Sequence, residues 1–148
     1  MASTHTSLLY HLVFSTKNRD PVIDADWRPR LHEYLGGSVA GLGGVSLGVG
    51  GVADHVHILA SLNATHCLSD FMRELKKASS AWVAETVPLP AFRWQEGYGA
   101  FTVSASLRET IQTYIARQEE HHRSRSFRDE YLLLLRKSGI EFNERYLD

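Results

Sequence analysis

Two pairs of residues in this sequence have the side chains and the spacing to act together. His55 and His57 bracket a valine. In a strand, side chains two apart point the same way, so both imidazoles can offer nitrogen to one divalent cation. Tyr114 and Gln118 lie four apart, and one helical turn sets a phenol and an amide oxygen on one face, where both could approach one metal. An oxygen nucleophile beside a metal is what cleavage of a phosphodiester requires. Neither pair is specific alone. Two of the chain's eight histidines also suit ordinary core or surface positions, and a tyrosine on an apolar stripe, edged by a glutamine, suits plain packing.

The elements that must carry these residues are legible in outline. Residues 8–14, Leu-Leu-Tyr-His-Leu-Val-Phe, form a short apolar and aromatic run that reads as a first, largely buried strand. Trp27, Leu31, Tyr34, Leu35 and Leu42 keep approximate helical spacing, with Pro29 in the first turn and Gly43-Gly44 at the end. Residues 45–52 alternate as a second strand, and the short Ala53-Asp54 link suggests a hairpin into a third over residues 55–62. On that strand Val56, Ile58, Ala60 and Leu62 share one side, and His55, His57, Leu59 and Ser61 the other. Ser69 is the expected N-cap of a helix reaching about Thr86, its buried stripe being Phe71, Met72, Leu75, Ser79 and Trp82. Arg73, Lys76, Lys77 and Ser80 gather on its opposite face.

A fourth strand is expected within residues 92–104. Next, Ser106-Leu107-Arg108-Glu109 has the pattern of a capping box, opening a helix to about His122 on which Leu107, Ile111, Tyr114 and Gln118 make one stripe. From Phe127 the chain reads as a short Leu-rich helix stopped near Gly139, then an irregular end. The order strand, helix, strand, strand, helix, strand, helix predicts an α+β fold: a ferredoxin-like split βαβ with an antiparallel sheet, packed helices and a C-terminal helical tail. Residues 1–125 are expected to form the catalytic domain, with 126–148 packed on it or extending it.

Asp54-His55-Val56-His57-Ile58-Leu59, followed by Thr113-Tyr114-Ile115-Ala116-Arg117-Gln118, resembles the HUH motif and the nucleophile helix of the single-tyrosine transposases of bacterial insertion sequences and their REP-associated relatives. The resemblance extends to Tyr10-His11-Leu12-Val13-Phe14, to Leu75-Lys76-Lys77-Ala78-Ser79-Ser80 and to Trp94-Gln95-Glu96-Gly97-Tyr98, in the same order, across residues 8–122. It implies His55, His57 and Gln118 as metal ligands and Tyr114 as nucleophile. The implied reaction is cleavage and rejoining of single-stranded DNA through a 5′-phosphotyrosine, with Mg²⁺ or Mn²⁺ suited on availability and Zn²⁺ or Ni²⁺ able to bind better in vitro. His66, His121 and His122 are further imidazoles near these segments and could compete as ligands.

Charge makes DNA binding a local question. A net charge of -1 and a pI near 6.7 are not the footprint of a protein that lives on polyanions. Single strands, however, are held by local basic grooves and aromatic stacking. Lys17, Arg19, Arg73, Lys76, Lys77 and Arg93 are the candidates for phosphates, and Trp94, Tyr98 and Phe101 for bases; the same residues would also suit a solvated face and a core. A folded hairpin at an element's end is the expected DNA feature. A single candidate tyrosine against two ends to be cut predicts a homodimer.

The remaining totals are bounding. At 148 residues and 43% hydrophobic, one core is expected. The lone Cys67 cannot form an internal disulfide, and the uncharged stretch of residues 35–53 is too glycine-rich for a membrane span, so a cytoplasmic protein without a membrane partner is expected. No Walker-type loop is present among the glycines, which argues against a nucleotide cofactor. Two other functions fit the same residues: a domesticated module that binds hairpin DNA without transposing it, and a metal-dependent phosphoesterase whose nucleophile is water.

Overall fold

The computed structural model describes residues 3–143. Four antiparallel strands form one sheet in the order β2-β3-β1-β4. They are Leu9–Ser15 (β1), Val45–Gly51 (β2), His55–Ser61 (β3) and Gly99–Val103 (β4). The helices are Arg28–Gly41 (α1), Leu68–Thr86 (α2), Arg108–Ala116 (α3), Gln118–His121 (α4) and Phe127–Lys137 (α5). The expected ferredoxin-like split βαβ is the fold observed, with β1 and β3 at its centre.

Alternation decides what each face of the sheet carries. Leu12 and Phe14 of β1 join Val56, Ile58 and Ala60 of β3 in a core closed by Leu31, Leu35 and Val39 of α1 and by Phe71, Met72 and Leu75 of α2. On the opposite face β1 presents His11 and Val13 while β3 presents His55 and His57, with Val13 and His57 directly opposed in register. That face is covered as well. A second cluster of Val13, Phe101, Phe127 and Leu135 seats α5 there. Both histidines of β3 are therefore completely buried, although the hairpin reading alone would allow a solvated face.

α3 reaches the sheet through Gly50 of β2. A Cβ there would lie 2.1 Å from the backbone carbonyl oxygen of Ile115, so only glycine admits the helix this closely. Gly99 of β4 does the same for α5, since a Cβ would stand 2.9 Å from the Tyr131 ring.

Several local expectations need correction. α2 starts one residue before Ser69, with Cys67 as the extended N-cap residue and no side-chain cap bond; the Ser69 hydroxyl instead contacts Cys67 Sγ at 3.4 Å. In the buried stripe of α2 the fifth place belongs to Val83, because Trp82 stacks on Tyr34 at the margin with centroids 5.2 Å apart. Ser106 caps nothing: it lies in a single 3-10 turn, Ala105–Leu107, and shares a hydrogen bond of 2.9 Å with Ser104. Leu107 is 50% exposed and leaves the apolar stripe. The helix expected to run to about His122 is interrupted at Arg117 (φ -104, ψ 28), whose N–H bonds to both Thr113 and Tyr114 carbonyls.

The tail keeps its expected helix, ended by Gly139 at φ +68. The irregular end is described as far as Asn143, and the remainder of that expectation lies outside the described residues. Among the described residues no helix is long and apolar enough to cross a membrane.

Candidate active site

The site forms where β3, the α3–α4 break and α5 meet. Nε2 of His57 lies 2.9 Å from Oε1 of Glu130. The same oxygen is 3.2 Å from Nε2 of His122 and 3.5 Å from Nε2 of His55. Gln118 Oε1 stands 3.1 Å from both His55 Nε2 and His122 Nε2. The four residues on which the chemistry was expected to rest thus share one pocket: His55, His57 and Gln118 are buried, and Tyr114 reaches it from α3 with its hydroxyl bonded to Oε2 of Glu130. The break at Arg117 does not separate Tyr114 from Gln118, whose Nε2 donates to the Tyr114 carbonyl at 3.4 Å.

Electrostatics follow from that crowding. Burial alone would raise the Glu130 carboxyl, but contacts from His122, His55 and His57 outweigh it and hold the group well below the usual carboxylate range. Burial, helped by neighbouring imidazoles, pushes His57 down to about 4 even against the Glu130 carboxylate. It pushes His11 down to about 3. For His55, burial works downward, yet the Asp54 and Glu130 carboxylates prevail and the group is raised. The Tyr114 phenol is raised by burial first and then by the Glu130 carboxylate, which opposes a second negative charge beside it.

The donor set suits a divalent cation. His55, His57, His122 and Glu130 each offer a ligand atom, and these atoms lie within 4.8 Å of one another. Imidazole nitrogens with carboxylate and amide oxygens are ordinary donors for first-row divalent metals.

Four contributors carry no assigned site role in the sequence reading. Glu130 left one signal, a carboxylate on the buried face of α5 between Phe127 and Leu135. His122 counted only as one competing imidazole among three. Of the other two, His66 is engaged elsewhere, at 2.7 Å from the Leu42 carbonyl, and His121 packs on the Tyr114 ring with centroids 4.6 Å apart. His11 meets His57 Nδ1 at 2.7 Å, a contact set by strand register. Asp54, read as part of a hairpin link, bonds His55 Nδ1 at 2.7 Å.

The residues expected at DNA separate into two kinds. Arg73, Lys77 and Arg93 are exposed, Tyr98 is half-buried, and all four line one groove beside α2. Lys76 in the same groove is committed: its ammonium donates to the Gln95, Glu96 and Gly97 carbonyls, and burial lowers its pKa to about 8. Trp94 is 8% exposed and gives its Nε1–H to Ser79 Oγ at 2.9 Å, so it floors the groove and is no free platform for a base. Phe101 is likewise 8% exposed, in the core beneath α5. Lys17 and Arg19 lie in a 3-10 turn after β1, where Lys17 lines a separate recess with Arg93.

Comparisons with known proteins converge on one group. The family described as transposase IS200 like matches residues 4–118. The ISDra2 transposase TnpA of Deinococcus radiodurans is 31% identical over 121 residues, covering 76% of this chain and 85% of that protein. A crystal structure of a candidate transposase from D. radiodurans R1 superposes with a TM-score of 0.65 at 28% identity, covering 80% of this chain and 95% of that one. The structure of a REP-associated tyrosine transposase bound to a REP hairpin shares the fold, with a TM-score of 0.60 at 14% identity and coverage of 82% and 74%. With its strand order, its paired strand histidines and its helix-borne tyrosine in one pocket, this chain belongs to the IS200-like transposase family.

Proposed function

We propose that this transposase cuts and rejoins single-stranded DNA, with Tyr114 as the nucleophile and His55, His57 and Gln118 as ligands of a divalent cation, Mg²⁺ or Mn²⁺ on availability. The observation that carries the reading is the shared carboxylate: Glu130 faces the imidazoles with one oxygen and the Tyr114 hydroxyl with the other. Nucleophile and donors are thereby within reach of one phosphate.

As Tyr114 Oη attacks the phosphorus, its proton passes by way of Glu130 Oε2 to solvent, an Oη–P bond forms, and the P–O3′ bond breaks with O3′ taking up a proton from solvent. The strand leaves with a 3′ hydroxyl and the 5′ phosphate stays on Tyr114. A second 3′ hydroxyl reverses the exchange, returning the phenol and joining the strands without ATP. His55, His57 and Gln118 would hold a divalent cation, which would supply neutralisation of the phosphate oxygens and stabilisation of the departing 3′ oxygen. Glu130 Oε2, already accepting from the phenol, orients Oη.

Arg73, Lys77, Arg93 and Tyr98 are proposed to hold the strand, with Lys17 and Arg19 as a second basic site and Lys76 and Trp94 shaping the groove. Hairpin-bearing ends are the proposed substrate, since a related fold is seen with such a hairpin. A homodimer supplies two tyrosines for two ends, and the cytoplasm is the proposed compartment. Residues 1–125 are proposed as the domain that carries Tyr114 and the three ligands, with α5 closing its site through Glu130.

End-labelled single-stranded hairpin DNA, incubated with Mg²⁺ or Mn²⁺ and run on a denaturing gel, tests this. Wild type is expected to give a protein-linked 5′ product and Y114F none. Undiminished cleavage by Y114F would point to water as the nucleophile, and hairpin binding without any nicking to a domesticated binding module.

A further inference from the structure

We propose that with α5 docked and no DNA bound, His122 and Glu130 join His55 and His57 as metal ligands, Gln118 standing outside this four-donor set, so that the centre binds a transition cation through three imidazoles and a carboxylate and ranks Zn²⁺, Co²⁺ and Mn²⁺ above Mg²⁺. This rests on the proposed ligand role of His55 and His57. Residues 122 and 130 both lie beyond the stretch that matches the family, residues 4–118.

Hydrogen-bond capacity at two of the rings points to a cation. Nδ1 of His55 faces the Asp54 carboxylate at 2.7 Å, and Nδ1 of His122 faces the Arg125 carbonyl at 2.6 Å. Both partners only accept, so each ring must donate from Nδ1, and a neutral ring then keeps a lone pair on Nε2. Those two lone pairs meet oxygens alone: Gln118 Oε1 at 3.1 Å from each, and Glu130 Oε1 at 3.5 and 3.2 Å. In the neutral rings these lone pairs repel unless a proton or a cation lies among them, and a cation there draws the two Nε2 atoms and Glu130 Oε1 as ligands.

The outer contacts have the form that metal-bound histidines use. Such a ring passes its other N–H to a carboxylate, carbonyl or similar acceptor, which fixes the tautomer. Asp54 does this for His55, the Arg125 carbonyl for His122, and His11 Nε2 stands 2.7 Å from His57 Nδ1. The spacing agrees as well. Tetrahedral bonds of about 2.0–2.2 Å give ligand-to-ligand edges of about 3.3–3.6 Å, beside observed separations of 2.9, 3.2 and 3.5 Å from Glu130 Oε1 to the three nitrogens. Three nitrogen donors favour the later first-row cations over Mg²⁺, which prefers oxygen.

The test uses the full-length, metal-stripped protein without DNA. Co²⁺ is titrated and followed by visible absorption, and Zn²⁺ and Mg²⁺ by calorimetry. Wild type is expected to bind one Co²⁺ with the intense band of a four-coordinate site, and to bind Zn²⁺ far more tightly than Mg²⁺. E130Q and H122A should each weaken Co²⁺ binding by more than about tenfold and alter the band, while the exposed control E120Q should not. Circular dichroism in metal-free buffer checks that each variant is folded. Should E130Q fail that check, H122A decides, because its side chain stands at the pocket edge (9% exposed). Equal Co²⁺ affinity and spectra in wild type, E130Q and H122A, with loss in H57A or Q118A, would overturn the added ligands and leave the ligand set of the proposed function intact. Absence of tight binding by wild type would also overturn the inference. Loss of the Tyr114–DNA adduct in the gel assay would count against the proposed function instead.

Discussion

Tyr114 gives its phenolic hydrogen to Oε2 of Glu130, whose other oxygen lies 2.9 Å from Nε2 of His57. The nucleophile candidate is thus tied to the sheet through a helix that follows it in the chain. Removing the hydroxyl leaves a buried, ionised carboxylate oxygen without that donor. Y114F should stay folded but lose about 1–3 kcal/mol of stability, read as a lower urea midpoint with an unchanged slope.

The approach of α3 to β2 through Gly50 makes a second prediction. An alanine Cβ would meet the Ile115 carbonyl at 2.1 Å, and the contact is backbone, which cannot swing away. G50A should cost about 1–3 kcal/mol through overpacking. Tyr114 precedes Ile115, so covalent DNA attachment should fall more than the stability loss alone explains, at a temperature where both proteins are folded.

Neighbouring lysines on α2 should behave differently. Lys76 binds three carbonyls of the 95–97 segment, whereas Lys77 is exposed beside Arg73 and Arg93. K76M should lower thermal stability. K77A should leave the melting temperature nearly unchanged and weaken binding to single-stranded DNA, lowering the log–log salt slope by about 0.7, as expected when one fewer phosphate is neutralised.

Acid should destabilise the fold through its buried histidines. Burial, then Arg28, lowers His32 from 6.5 to about 4, and Nε2 of that ring has no hydrogen-bond partner among the described residues. The folded state therefore releases this proton while the unfolded chain still holds it. The resulting stability is present above about pH 6.5 and is lost as pH falls through about 4. Urea midpoints between pH 7 and 5 should drop less steeply in H32Q than in wild type; parallel slopes would discount His32.

The strands and the first two long helices were legible because both faces of their pattern obey simple periods. His55 and His57 sit on a strand whose alternation is unambiguous, and Tyr114 and Gln118 keep their spacing even across the Arg117 break. What the sequence concealed depends on distance along the chain. Glu130 meets His57 from 73 residues away, and its one local hint, a place on the α5 face that carries Phe127 and Leu135, does not say which partner it meets. His11 becomes meaningful only once β1 pairs with β3. For Trp94 and Lys76 the limit is related: their types suit nucleic acid, but burial and carbonyl partners, which decide how they can serve the groove, are tertiary facts. Ser69 and Ser106 fit the cap pattern one or two residues away from where each helix begins.

The span between His57 and Glu130 also bears on how the pocket comes into being. Closing so long a loop brings an entropic cost that grows only slowly with length, but it must be met before the contact gives anything back. β1 and β3 pair along their full length through backbone contacts to which α5 contributes nothing. A chain that has formed its sheet but not yet captured this helix would hold the paired imidazoles with their fourth wall missing. We therefore expect the amides of α5 to exchange with solvent sooner than those of β1 and β3, and a cation held by Glu130 to slow that exchange selectively. Assembly of the pocket would then be the last step of folding and the one most sensitive to metal supply.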